Sequence, residues 1–252
     1  MLTILSARIQ SASFRPRTET VDTLVLHFTA LDLESSLRIL RYGDVSSHYV
    51  LAEDGTVYQI LEDYEVGWHA GLSMWRGKPG VNGRSIGIEI VNLDGNTIDY
   101  PAAQIAALIE LCTAIIARNP GISPRNVVGH SDIAPRRKDD PGRKFPWKEL
   151  AEAGIGLWPA SIEAEPVGTL QQIQSLLESC GYPKEHAYGI RDGAYVSLSD
   201  PENPPVGVSN VVRVMTPDIL RAFQLRFQPD SATGIATPET MGMLRKLSVM
   251  SG

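Results

Sequence analysis

The sequence predicts an α/β or α+β domain followed by a small helical one, on three observations. Short runs of Leu, Val, Ile and Phe recur between residues 23 and 92, each the length of a buried strand. A long amphipathic helix follows them, from Pro101 to about Arg118. Beyond Trp158 the strand-like runs give way to separate helical stripes. Strands interleaved with helices that cover them make a layered domain. At 252 residues, 43% of them hydrophobic, the chain fits two modest domains better than one compact unit.

Taken in order, "TLVLHFTA" (23–30) reads as a buried strand, and a short helix follows around Leu33 to Arg41. In "SHYVLAEDGTVYQIL" (47–61) two apolar runs flank Asp54-Gly55, the pair that favours a hairpin turn. "SIGIEIVN" (85–92) alternates, placing Ile86, Ile88 and Ile90 on one face and Gly87, Glu89 and Val91 on the other. The helix after Pro101 carries Ile105, Leu108, Ile109, Cys112, Ile115 and Ile116 on one wide stripe, with the proline at its first position. Between Ala70 and Asn82 a Gly-rich segment reads as a rim loop with an exposed Trp75.

The first domain is expected to span residues 1–158. The stretch 159–168, "PASIEAEPVG", has the prolines, small residues and acids of a linker. Residues 169–252 then hold three helices, marked by Leu170, Ile173, Leu176, Leu177 and Cys180, by Ile219, Leu220, Phe223 and Phe227, and by Met241, Leu244 and Leu247. Thr216-Pro217 and Thr237-Pro238 each set a capping hydroxyl before a helix-starting proline. The Pro/Gly/Ser-rich stretch from Gly189 to Asn210 is expected to be a long loop.

Composition excludes several classes. The net charge is −6, so no overall basic surface argues for a nucleic-acid partner. No apolar run approaches the roughly 18 residues of a membrane span. The first residues, MLTILSARIQSASFRPRT, lack the basic head and long apolar stretch of a signal peptide. Cys112 and Cys180 each sit on an apolar stripe and read as buried free thiols. Nothing in the sequence speaks to oligomeric state.

Three polar groups stand where a core would not want them. His27 interrupts a run of Leu, Val and Phe, His130 closes "VVGH", and Asp140 heads an Asp-Pro-Gly turn. Singly, each has an ordinary reading as a hydrogen-bonded core histidine or a turn aspartate. Together, two imidazoles and a carboxylate are a recurring ligand set for catalytic zinc that leaves a fourth position for water. Ten positions separate His130 from Asp140, so the segment must fold back, which Pro135, Pro141 and Gly142 suit. Such water needs a base, and a tetrahedral oxyanion needs positive charge. Glu89, on a strand face that is otherwise small and apolar, is a candidate for the first, or an exposed strand position. Lys138, two positions from Asp140 and on the same side of an extended segment, is a candidate for the second, or one charge in the run Arg136, Arg137, Lys138.

These residues carry a resemblance. "LVLHFTA", "SSHYVLAEDGTVYQ", "GWHAG", "SIGIEIVN" and "VVGHSDIAPRRKDDPG" resemble, in order over residues 21 to 150, the motifs of the type 2 zinc-dependent N-acetylmuramoyl-L-alanine amidases. That family includes anhydromuramyl-peptide amidases and is related to peptidoglycan recognition proteins. The resemblance implies an α/β fold with a mixed central sheet flanked by helices and one zinc ion at its edge. It implies cleavage of the amide between the lactyl group of N-acetylmuramic acid and L-Ala of the stem peptide, in peptidoglycan or in soluble muropeptides. By position, His27, His130 and Asp140 match the zinc ligands, Glu89 the catalytic carboxylate and Lys138 the oxyanion-stabilising lysine. Asp139 is the rival to Asp140, which heads the Pro-Gly turn and falls at the family's ligand position.

Residues 170 to 247 more loosely resemble a three-helix peptidoglycan-binding domain, with a long insertion between Tyr182 and Thr216; the alternative is a docking domain without glycan affinity. His48, Trp68, His69 and Asn92 are candidate substrate contacts. An indole can pack on a sugar ring, and the glycines around Trp68-His69 allow close approach. The runner-up reading is a recognition protein that binds peptidoglycan without cutting it. A wall-binding tail argues for the periplasm or cell envelope, and the absent signal pattern for the cytoplasm.

Overall fold

The computed structural model describes residues 4–5, 11–191, 194–199 and 202–250. Strands β1 (Ile4–Leu5), β2 (Phe14–Pro16) and β3 (Thr23–Phe28) precede α1 (Leu33–Tyr42). The hairpin at Asp54-Gly55 forms as β4 (Tyr49–Leu51) and β5 (Val57–Gln59). Next come β6 (Glu65–Gly67), β7 (Met74–Trp75), β8 (Lys78–Pro79) and β9 (Ser85–Ile90), then α2 (Ala102–Arg118), β10 (Val127–Gly129), α3 (His130–Ile133) and α4 (Trp147–Glu152). The remainder is α5 (Leu170–Cys180), β11 (His186–Arg191), β12 (Ala194–Leu198), β13 (Ser209–Val214), α6 (Thr216–Phe227) and α7 (Pro238–Val249).

The central sheet is mixed and runs β1-β5-β4-β9-β3-β10; β4 and β5 are antiparallel and every other neighbouring pair is parallel. Alternation along its inner strands decides what each face becomes. Leu24, Leu26, Ile86, Ile88 and Ile90 bury against Ile105, Leu108, Cys112 and Ile115 of α2. Each such fully buried aliphatic side chain contributes about 1.5–3 kcal/mol. Pro101 is extended and caps α2 rather than starting it, so the first helical residue is Ala102. Asp32 caps α1 by accepting the Ser35 N–H at 2.8 Å.

The opposite face is divided. Val50 and Val91 lie under Leu40 of α1. Val25 and Val128 lie under the C-terminal helices, in one continuous core with Ile173, Leu177, Ile219, Leu220, Phe223 and Leu244. Between the two coverings, residues of β3 and β9 remain uncovered, and these are His27 and Glu89, paired across the strands. The functional site is therefore a gap in the layering, flanked by α1 on one side and the C-terminal unit on the other.

Several expectations need correcting. The stretch from Gly189 to Asn210 is not simply a loop: a three-stranded sheet ordered β12-β11-β13 forms between α5 and α6. Its short β-prone runs, such as "AYVSL" and "SNVVRV", are masked by the Pro, Gly and Ser around them. Residues 192–193 and 200–201, within that expected loop, lie outside the described residues. Thr216 is inside its helix rather than the cap, and its hydroxyl donates to Glu185 at 2.6 Å; Thr237 does cap, accepting from the Thr240 N–H. Trp75 is buried, donating to Asn126 at 3.2 Å and packing edge-on against Tyr182, because the C-terminal unit closes over it. Cys112 and Cys180 are both free, but only Cys112 is buried; Cys180 is half-buried at the edge of the C-terminal core.

Candidate active site

The hairpin-free parallel core brings three distant residues together. β3 delivers His27, the end of β10 delivers His130, and the Asp-Pro-Gly turn returns Asp140 beside them. All three are buried. His27 Nδ1 lies 3.0 Å from His130 Nδ1 and 3.0 Å from Asp140 Oδ2, and His130 Nδ1 lies 3.1 Å from the same oxygen.

This donor set fits a metal. His130 Nε2 is 3.0 Å from the Ala70 carbonyl, which can only accept, so the proton is on Nε2 and the Nδ1 lone pair faces the centre. His27 Nε2 meets His69 Nδ1 at 3.0 Å, and His69 Nε2 meets Ser85 Oγ at 3.3 Å, so a relay of the same kind backs the second imidazole. One proton can bridge only one edge of the triangle, whereas a cation satisfies all three donors. Outer groups of this type fix tautomer and ring orientation in metal sites. Burial pushes the His27 imidazole down to about 4, against the opposing pull of Asp140, so it is neutral near pH 7. Burial alone would raise the Asp140 carboxyl, but the facing imidazoles of His130 and His27 hold it far below the usual carboxylate range.

An open cavity of about 460 Å³ leads to this cluster, lined by Trp68, Glu89, Lys138, Arg137 and Val45 among others. Glu89 is half-buried, and desolvation, then the Asp140 charge, push its carboxyl up to about 8, with Lys138 pulling the other way. Lys138 is half-buried at the cavity wall. Asp139 also reaches that wall, but both its oxygens are taken by Arg221, at 2.6 and 3.0 Å. Trp68 is half-buried with the Arg15 guanidinium 5.9 Å from its ring.

Two candidate contacts lie elsewhere. His48 is fully buried and does not line the cavity; its Nδ1 accepts the Gly87 N–H at 3.0 Å and its Nε2 donates to the Glu65 carbonyl at 3.1 Å. It braces the strand that carries Glu89. Asn92 is also buried, organising the turn after β9 through the Ile98 carbonyl and the Asp94 N–H. Neither has a polar atom left over for substrate in that arrangement. His69 lines the cavity and backs His27 at once. Sequence reasoning missed Arg137, which was grouped with its solvated neighbour but binds the Ala70 and Leu72 carbonyls under the cavity rim. No sequence signal marks those carbonyls.

Gly87 makes room for the His69 ring: a Cβ there would sit 2.5 Å from His69 Cγ. Gly87→Ala is expected to cost about 1–3 kcal/mol through overpacking. It should also weaken metal retention by displacing the group behind His27; thermal melting and metal content of the purified variant check both.

Residues 17–143 match the family model described as N-acetylmuramoyl-L-alanine amidase. The chain is 35% identical to the N-acetylmuramoyl-L-alanine amidase AmiD of Escherichia coli, over 96% of this chain and 87% of that protein. The structure of E. coli AmiD with the substrate anhydro-N-acetylmuramic acid-L-Ala-D-gamma-Glu-L-Lys superposes with a TM-score of 0.73 at 33% identity, covering 92% of this chain and 91% of the other. That of AmpDH3 from Pseudomonas aeruginosa with anhydromuramic pentapeptide gives 0.73 at 32% identity, covering 98% and 97%. With a family match over half its length and a relative aligned over 96% of it, the chain belongs to the N-acetylmuramoyl-L-alanine amidases, hydrolases of the amide between N-acetylmuramic acid and L-Ala.

Proposed function

We propose that the chain performs this hydrolysis with one zinc ion held by His27, His130 and Asp140, with Glu89 as proton shuttle and Lys138 as oxyanion stabiliser. The observation that carries the reading is the convergence of three buried donor atoms 3.0–3.1 Å apart at the floor of an open cavity. A zinc ion in such a site supplies a Lewis acid that lowers the pKa of water and polarises a carbonyl.

Glu89 accepts a proton from the attacking water and returns it to the departing amine nitrogen, so the carboxylate is regenerated each turnover. Lys138 sets positive charge beside the carbonyl oxygen as it becomes anionic. Trp68 offers an aromatic face to a sugar ring at the cavity wall. We assign the chain to the cell envelope, acting on intact wall as well as on soluble anhydromuropeptide, on the strength of its long C-terminal unit.

Glu89 must be ionised to act as base. Burial, then the Asp140 charge, raises its carboxyl from 4.5 to about 8, and a bound dication would offset the Asp140 part and draw that value back down. Activity should therefore rise with pH through an acidic limb, measured as kcat/KM at saturating zinc. A kcat/KM profile with no acidic limb would remove Glu89 from this role. The function itself is tested by metal analysis together with mass spectrometry of digested sacculi and of a soluble anhydromuropeptide. Released stem peptide from both supports the reading; cleavage of the soluble substrate alone overturns the assignment to intact wall, and unaltered substrates despite bound zinc overturn the catalytic one.

A further inference from the structure

We infer that Arg221 is a positioning residue for the metal site: from α6 it grips Asp139 and so fixes the adjoining Asp140, while Arg226 of the same helix anchors the other end of the ligand-bearing segment. The inference rests on the metal reading above. It begins from an oddity of the sequence, in which two aspartates stand side by side and one alone turns inward.

His130 and Asp140 are the two ends of one excursion from the sheet. Within it, the Ser131 N–H donates to the Asp140 carbonyl at 2.9 Å, and the Arg137 and Lys138 N–H groups both reach the Ala134 carbonyl. These bonds shape the excursion; from the catalytic part it is held by Arg137 on the Ala70 and Leu72 carbonyls and by the Tyr100 hydroxyl on the Pro141 carbonyl, and the C-terminal unit adds contacts at both ends. At the His130 end, Asp132 accepts from the Gly129 N–H at 2.8 Å, from Arg226 at 3.0 Å and from the Tyr182 hydroxyl at 2.5 Å. Arg226 also donates to the Val127 carbonyl at 3.0 Å, tying β10 to α3 through one guanidinium. At the Asp140 end, Arg221 takes both oxygens of Asp139 in a two-pronged pair. In the middle, Arg136 donates to the Arg213 carbonyl at 2.7 Å.

The Arg221 pair has a second effect. Asp139 lines the same cavity as Asp140. A free carboxylate there would be a rival ligand. With both oxygens engaged outward, Asp139 is held from the donor cluster and Asp140 alone faces the imidazoles.

Arg221 and Asp139 are 37% and 42% exposed, so substituting them leaves the packed core intact. The test uses the full chain. Arg221→Asp removes a positive charge near the cation and adds a negative one, so electrostatics alone would tighten zinc binding. Positioning predicts the reverse: zinc affinity, measured by competition with a chromophoric chelator, falls about tenfold, in the range of outer-shell partners. In the metal-free protein, hydrogen exchange over residues 130–142 quickens in the same variant. The charge swap D139R/R221D restores both. Should the wild type bind zinc, an Arg221→Asp protein that binds it as tightly or more so, or that shows unchanged exchange, overturns the inference. So does a failure of the swap to restore either property. Should the wild type bind no zinc, the metal reading fails, and exchange alone decides whether Arg221 holds the segment: faster exchange reversed by the swap supports it, and unchanged exchange overturns it.

Discussion

With Glu89 as the proposed proton shuttle, Glu89→Gln should lose about two to four orders of magnitude in kcat while keeping the fold and metal content of the wild type. The substitution is isosteric, and Glu89 is not among the three donors, so metal content should match the wild type. Stability should move in the opposite direction from activity. The Glu89 carboxyl is raised from 4.5 to about 8 in the metal-free fold. Across that window the folded chain holds a proton that the unfolded chain has released, so stability falls as pH rises through it. Glutamine removes that fall. Melting curves of chelator-treated wild type and variant, taken at pH 5 and pH 8, should therefore diverge at the higher pH, with the variant the more stable. A variant hydrolysing muropeptide at the wild-type rate would show that the proton travels by another route.

The second large effect concerns stability alone. Arg226 and Asp132 form a buried pair, 5% and 0% exposed, with the guanidinium 4.0 Å above the Trp147 ring. Replacing Arg226 by Met leaves the Asp132 carboxylate and the Val127 carbonyl facing an apolar side chain. The expected loss is about 3–5 kcal/mol, the usual cost of stranding one member of a buried pair. Combining it with Asp132→Asn should recover part of that loss, because the amide oxygen still accepts from Gly129 or Tyr182 without a stranded charge. Urea unfolding of the single and double variants measures both. A single variant within about 1 kcal/mol of wild type would mean that water reaches the pair and screens it.

The legible part of the site was the part that broke a local rule. His27 and His130 each stand in an apolar run, and Asp140 heads a tight turn, so their chemistry showed against their surroundings. Glu89 was legible for the same reason, through the alternation of its strand. His48 and Asn92 lie away from the cavity lining, a placement the sequence does not record because a buried polar residue looks alike there whether it serves substrate or backbone. The Gly87 N–H that claims His48 comes from another strand, and the Ile98 carbonyl that claims Asn92 from the turn that follows it. The sheet in the C-terminal unit was hidden by composition, since Pro and Gly at the ends of short runs dominate any window that contains them. Arg221, Arg226 and Tyr182 were illegible in principle: their partners lie 50 to 94 positions away, and no local pattern records such a pairing.

The division of the sheet face has a consequence for engineering the protein. Val25, Val128 and Ile133 share one apolar core with Ile173, Leu177, Leu220, Phe223 and Leu244 of α5, α6 and α7. The C-terminal unit is therefore not an interchangeable cartridge. A graft of this catalytic part onto another anchor would leave a wet hydrophobic wound behind the active site, and the chimera would need that surface redesigned before its new anchor could be judged.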